Sequence, residues 1–191
     1  MPLGRQAKLV SSKQQSLVLQ HVATTRHPKR ARVIVLLSFR AGLRAKEIAS
    51  LTWARVMDAD GEVCEEIAPE DRASKGRGGR RVPLHKTLRQ ALTDLQAIRG
   101  GQTRLDRPVV YPERGRGMSA ATVTSWFGRL YCSIGLVGCS SHTGQRTFIT
   151  SAARKIVGWS ARGHPSMWSL NLSSREGSLL VGRAGIEPAA T

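Results

Sequence analysis

The sequence predicts an α+β fold, mainly helical, with one small antiparallel β-sheet. Three observations lead there. Apolar residues recur at helical spacing through most of the chain. Only two short stretches, near Val63 and near Val82, switch to β-branched residues bounded by turn formers. A length of 191 residues suffices for one domain with a sizeable core.

The elements follow in order. Ser12 reads as the cap of a helix over Lys13 to Val22, and Ala31 to Phe39 as a strongly apolar second helix stopped by Gly42. A short third helix begins near Arg44 and would bury Ile48 and Leu51. After Trp53, Val56, Val63 and Ile67 flank the turn signal Asp58-Ala59-Asp60-Gly61, and Arg81-Val82-Pro83-Leu84 follows a Gly-rich basic loop, which together predict the sheet. Lys86 to Ile98 is amphipathic through Leu88, Leu92, Leu95 and Ile98, and Gly100-Gly101 ends it. Ser119 opens a helix carrying Val123, Trp126, Phe127 and Leu130 that fades near Gly135, and His142 to Val157 is the last well-patterned helix. Beyond Gly158 neither period persists. The expected organisation is therefore a core over 1–157 and a disordered tail over 158–191, because such a stretch buries too little apolar surface to offset its ordering entropy.

Thirty Lys and Arg against thirteen Asp and Glu give a formal charge of +17, which favours a polyanionic partner over an acidic small molecule. Charge alone does not separate DNA, RNA and a membrane surface. No apolar run approaches the roughly 20 residues of a membrane span, and the first residues lack the apolar stretch of a secretory signal, so a cytoplasmic protein without a membrane role is expected. Cys64, Cys132 and Cys139 are odd in number and lack CxxC spacing. They read as reduced packing residues, with no disulfide framework, no metal and no cofactor.

Three boxes stand out in order: Ala41-Gly42-Leu43-Arg44-Ala45-Lys46-Glu47-Ile48-Ala49-Ser50-Leu51-Thr52-Trp53, then Ser74-Lys75-Gly76-Arg77-Gly78-Gly79-Arg80-Arg81-Val82-Pro83-Leu84, then Ser140-Ser141-His142-Thr143-Gly144-Gln145-Arg146-Thr147-Phe148-Ile149-Thr150. Each alone has a plain reading. A Gly-Leu-Arg at a helix start is common, Glu47 reads as an exposed helix acid, and His142 as a cap or surface residue. The run Arg72, Lys75, Arg77, Arg80 and Arg81 reads as a solvated loop that touches phosphates without sequence preference.

Taken together and in this order, the boxes resemble the catalytic domain of the tyrosine recombinases, or phage-type integrases, over about Lys8 to Val157. The resemblance implies site-specific DNA recombination and integration through a phosphotyrosine intermediate, with double-stranded DNA and further recombinase protomers as partners. It also implies a bacterial, nucleoid-associated protein of a mobile element, here without the amino-terminal DNA-clamping domain of longer members. A phosphodiester attacked by a tyrosine oxygen gains negative charge on its non-bridging oxygens, so placed guanidinium groups lower the barrier and a nearby acid protonates the departing oxygen. By resemblance, Arg44 clamps the phosphate, Lys75 protonates the leaving 5′ oxygen, His142 assists proton transfer, and Glu47 orients the site without touching DNA.

Two departures bear on activity. The family's second phosphate arginine falls at Gln145; Arg146 is one helical step on, rotated by about 100°. No tyrosine occurs from Thr147 to Thr191, and Ser173 falls where the family has its nucleophile, so the nucleophile assignment is none. Codons for Trp159 to Met167 can be chosen so that a shifted frame spells Gly-x-Leu-Glu-Asp-Ile-Gln-Val, which resembles the family's Gly-x-Leu-x-Asp-Val-Gln stretch and suggests a frameshift or truncation near Gly158. The expected chain is a catalytically defective recombinase core; the alternative is a nonenzymatic DNA-binding remnant of a mobile element.

Overall fold

The computed structural model describes residues 7–69, 81–98, 103–111 and 117–160. The chain divides into two compact units, Met1–Thr150 and Ser151–Thr191, and everything that positions the candidate site belongs to the first.

Six α-helices and one two-stranded sheet are formed by the described residues: α1 (Ser12–Ala23), α2 (Pro28–Ala41), α3 (Ala45–Ser50), β1 (Glu66–Ile67), β2 (Val82–Pro83), α4 (Lys86–Ala97), α5 (Ala120–Ser133) and α6 (Thr143–Ser160). A single 3-10 turn, Trp53–Arg55, follows α3. The α+β class and mainly helical balance are as expected. Helix α2 is the centre: Val33 to Leu37 is at most 1% exposed at every position, so this stretch is buried on every side, and the helix packs against α1, α3 and α4. Helix α3 packs on α5. Leu37→Ala removes a side chain with no exposure and should cost about 2–5 kcal/mol, read from denaturant midpoints at constant m.

Several boundaries differ from expectation for local reasons. The cap of α1 is Ser11, not Ser12: the Ser11 hydroxyl accepts from the Gln14 amide at 3.3 Å and the Gln14 carboxamide accepts from the Ser11 amide at 2.9 Å, a reciprocal box that outcompetes the neighbouring serine. Helix α2 starts three residues before Ala31, because Pro28 presets the backbone of a first turn. Helix α6 carries three residues past Val157. The sheet is smaller than the Val56 to Ile67 pattern implies. Only Met57 and Val63 bridge around the turn, since the Asp58 carboxylate takes the amides of Asp60 and Glu62 and leaves the hairpin a tight loop. The antiparallel strands pair Glu66 with Pro83 and Ile67 with Val82. Cys64 and Cys139 are half-buried, but Cys132 is exposed, because it sits on the outward side of α5 while its neighbour Tyr131 fills the core; the packing reading fails there.

Helix α4 anchors this hairpin. Arg89 Nε donates to the Val63 carbonyl at 3.0 Å and Gln96 Nε2 to the Gly61 carbonyl at 3.0 Å. Segment 103–110 runs beside the end of α3, through Trp53 N to Arg107 O, Ala54 N to Leu105 O and Val109 N to Leu51 O. The expected tail, 158–191, lies outside the described residues from 161 onward.

Candidate functional site

Gly42 closes α2 in the left-handed region, φ 63°, where only glycine sits without strain. It is constrained twice. A Cβ at this position would lie 2.5 Å from Cδ1 of Phe148 on α6, so the bare backbone lets α6 cross the end of α2. Gly144, one turn before Phe148, makes the second close approach: a Cβ there would strike the Ser38 hydroxyl and the Phe39 ring of α2. Gly144→Ala should therefore force α6 off α2 and lower the unfolding midpoint, by about 1–3 kcal/mol as overpacked positions do.

These two approaches bring the first and third boxes together. Arg44 follows Gly42 by two residues and His142 precedes Gly144 by two, so each backbone lies within about 7 Å of a glycine packed at the carboxyl end of α2. Both side chains are exposed. Arg44 occupies the N-cap position of α3, and its amide donates to Glu47 Oε2 at 2.7 Å. A guanidinium has no acceptor, so Glu47 alone closes this cap, and the Arg44 side chain is left to face solvent. Glu47 is half-buried, not the exposed acid its position suggests when read alone. Glu47→Ala should cost the helix start about 0.5–2 kcal/mol, measurable by thermal unfolding.

The turn into α6 is organised by hydroxyls. The Ser140 amide donates to Thr143 Oγ1 at 2.9 Å, the His142 amide to Ser140 Oγ at 3.3 Å, and the Thr147 hydroxyl to the Thr143 carbonyl at 2.7 Å. Thr143 and Thr147 are buried, which makes these bonds structurally expensive to lose. Gln145 is half-buried on the turn that follows His142. Arg146 is also half-buried and donates from Nη1 to the Ala7 carbonyl at 2.7 Å.

Arg81 is exposed beside β2 and lies 3.7 Å from Glu66, an ion pair worth little in solvent. Lys75, Arg72, Arg77 and Arg80 lie outside the described residues. Tyr131 stacks on Phe127 at 5.8 Å within the core and is 1% exposed; burial raises its phenol well above the ordinary range. Tyr111 is half-buried, and its carbonyl accepts from Arg30 at 2.8 Å. Among the described residues no group of three His, Cys, Asp or Glu side chains is arranged to hold a metal ion, and no helix is long and apolar enough to cross a membrane.

Sequence reasoning missed the hydroxyl network at Ser140, Thr143 and Thr147 and the close packing at Gly144. The available signals were a Ser-x-x-Thr pair at a helix start and a glycine inside a helical pattern.

A sequence model of the phage integrase family matches residues 8–161. No curated protein sequence matches. Among solved structures, the Tn1549 transposon integrase (residues 82–397 in complex with circular intermediate DNA) is similar at a TM-score of 0.61 and 18% identity, over 81% of this chain and 55% of that one. The XerA recombinase is similar at 0.61 and 20%, over 78% and 52%. The lambda integrase (residues 75–356, bound to DNA) is similar at 0.56 and 19%, over 78% and 51%. At these identities the likeness concerns the fold, and the chain spans about half the length of each.

Proposed function

Because the chain belongs to the phage integrase family, we propose that it is a DNA recombinase core, residues 1–157, that grips duplex DNA at a phosphate site built on Arg44, Lys75 and His142 but does not itself cut the strand. The observation that carries this is the packing of Gly42 on Phe148 and of Gly144 on Ser38 and Phe39, which brings an exposed arginine and an exposed histidine from distant boxes to one end of α2.

In this reading Arg44 holds the non-bridging oxygens of one phosphate, positioned by the Glu47 cap, and His142 passes a proton beside it. Lys75, which falls between β1 and β2 in the sequence, protonates the departing 5′ oxygen. Gln145 offers a neutral hydrogen bond where a charged one would serve better. Arg72, Arg77, Arg80 and Arg81 neutralise flanking phosphates, and further protomers assemble on the same DNA. The setting is a mobile element in the bacterial cytoplasm, on nucleoid DNA. A second reading, a nonenzymatic DNA-binding remnant, is favoured by Gln145 together with the absence of any tyrosine after Tyr131.

Titration of labelled duplex with the wild type and Arg44→Ala tests the grip. Loss of one charge-assisted hydrogen bond, worth about 1.5–3 kcal/mol, should weaken binding by roughly tenfold or more. Unchanged affinity would remove Arg44 from the site.

A further inference from the structure

Arg146 stands next to the position where a second phosphate cation is missing, yet its guanidinium reaches away toward the backbone of Ala7. The adjacent Thr147 binds the same segment: the Val10 amide donates to Thr147 Oγ1 at 3.2 Å, in a buried setting. Residues 7–10 also touch the loop that leads into the α6 turn, where the Lys8 stem packs so closely on Gly138 that a Cβ there would lie 2.9 Å from Lys8 Cε. Val10 in turn leads into the Ser11 capping box of α1, and its carbonyl accepts from Gln15 Nε2 at 3.4 Å.

We infer that Arg146 is a positioning residue, which latches residues 7–10 as a strap across the turn that sets His142. The coupling is carried by contiguous bonds. Val10 donates to the Thr147 hydroxyl, which donates to the Thr143 carbonyl; the Thr143 hydroxyl accepts from Ser140, whose own hydroxyl accepts from the His142 amide. The Thr147 hydroxyl stands between strap and turn, accepting from the Val10 amide and donating to the Thr143 carbonyl, so a shift of the strap is passed to Thr143 and, through its own hydroxyl, to the Ser140 amide. Thr143 and Thr147 are buried and cannot exchange a lost partner for bulk water. The strap, the turn and His142 thus move as one unit, and Arg146 is committed to the strap, not available to replace the cation absent at Gln145. What the strap positions rests on the recombinase reading of His142; the latch itself does not.

The test uses the intact chain and two readouts. Backbone amide exchange is followed at Val10, Ser140 and His142, and the salt dependence of duplex binding is measured in parallel. Arg146→Ala should raise exchange at all three amides by roughly tenfold, as expected from losing a charged hydrogen bond, while the slope of log affinity against log salt stays at its wild-type value. Arg146→Lys, which keeps one donor, should recover part of the protection. A slope smaller by about one with unchanged exchange would overturn the latch, since that is the behaviour of a residue bound to phosphate. If Arg146→Ala does not fold, Thr147→Val and Thr147→Ser decide. The valine should raise exchange at Val10 and His142 together and the serine should leave both unchanged; a rise at Val10 alone contradicts the coupling. Absence of DNA binding would defeat the functional reading and leave the exchange result standing.

Discussion

Incubated with a nicked suicide duplex carrying its own attachment sequence, the purified chain will leave no denaturant-stable protein–DNA adduct. Covalent catalysis helps only when a nucleophile reaches the phosphate in line, and neither tyrosine of this chain is suited to it. Tyr131 would have to leave its stack on Phe127 and ionise from a position where burial raises its pKa. Tyr111 directly follows the segment that runs beside the end of α3 and is held through its carbonyl by Arg30. Ser173 lies outside the described residues, and a serine hydroxyl attacks only beside an activating base. Gln145→Arg supplies a charged donor of the kind worth roughly 10²-fold or more in rate, but a faster clamp without a nucleophile still yields no adduct. Adduct formation should appear only when a tyrosine-bearing carboxyl-terminal segment is restored in the family's frame. An adduct on the unaltered chain would contradict the defective reading, and its disappearance in Tyr131→Phe or Tyr111→Phe would identify the group responsible.

The second large effect is that of salt on DNA affinity. With a net charge of +17, binding should be driven by release of condensed counterions. If six or more phosphates are neutralised, affinity falls by about 10³-fold or more between 50 and 200 mM salt. Arg77→Ala combined with Arg80→Ala should weaken all duplex sequences about equally and reduce the slope by about two, one for each phosphate that is no longer neutralised. A flat dependence on salt would contradict a phosphate-gripping surface, and a sequence-selective loss would reassign these arginines to base reading.

How far the fold was legible in the sequence follows from which forces set each element. Helix α2 was readable because burial on every side demands an unbroken apolar run, and Gly42 because a left-handed cap admits few other residues. The cap of α1 was misplaced by one because Ser11 and Ser12 are equivalent until Gln14 reaches back to one of them. The sheet was overextended because β-branched spacing says nothing about the Asp58 side chain, which diverts amides that a longer ladder would need. Arg44 and His142 were recognisable as boxes, whereas their approach through Gly42 and Gly144 depends on packing between residues about a hundred positions apart that no local pattern contains. The role of Arg146 was illegible for the same reason: its acceptor, the Ala7 carbonyl, lies 139 residues away in sequence.

The claim that Arg44 and His142 serve one phosphate is tested most directly by a double-mutant cycle on binding to a nicked duplex at fixed salt, with Arg44→Ala, His142→Ala and the pair. Groups gripping the same phosphate should be coupled by about 0.5–3 kcal/mol, so that the double variant loses distinctly less than the sum of the single losses. Strict additivity would mean that the two residues meet the DNA at separate, independent points.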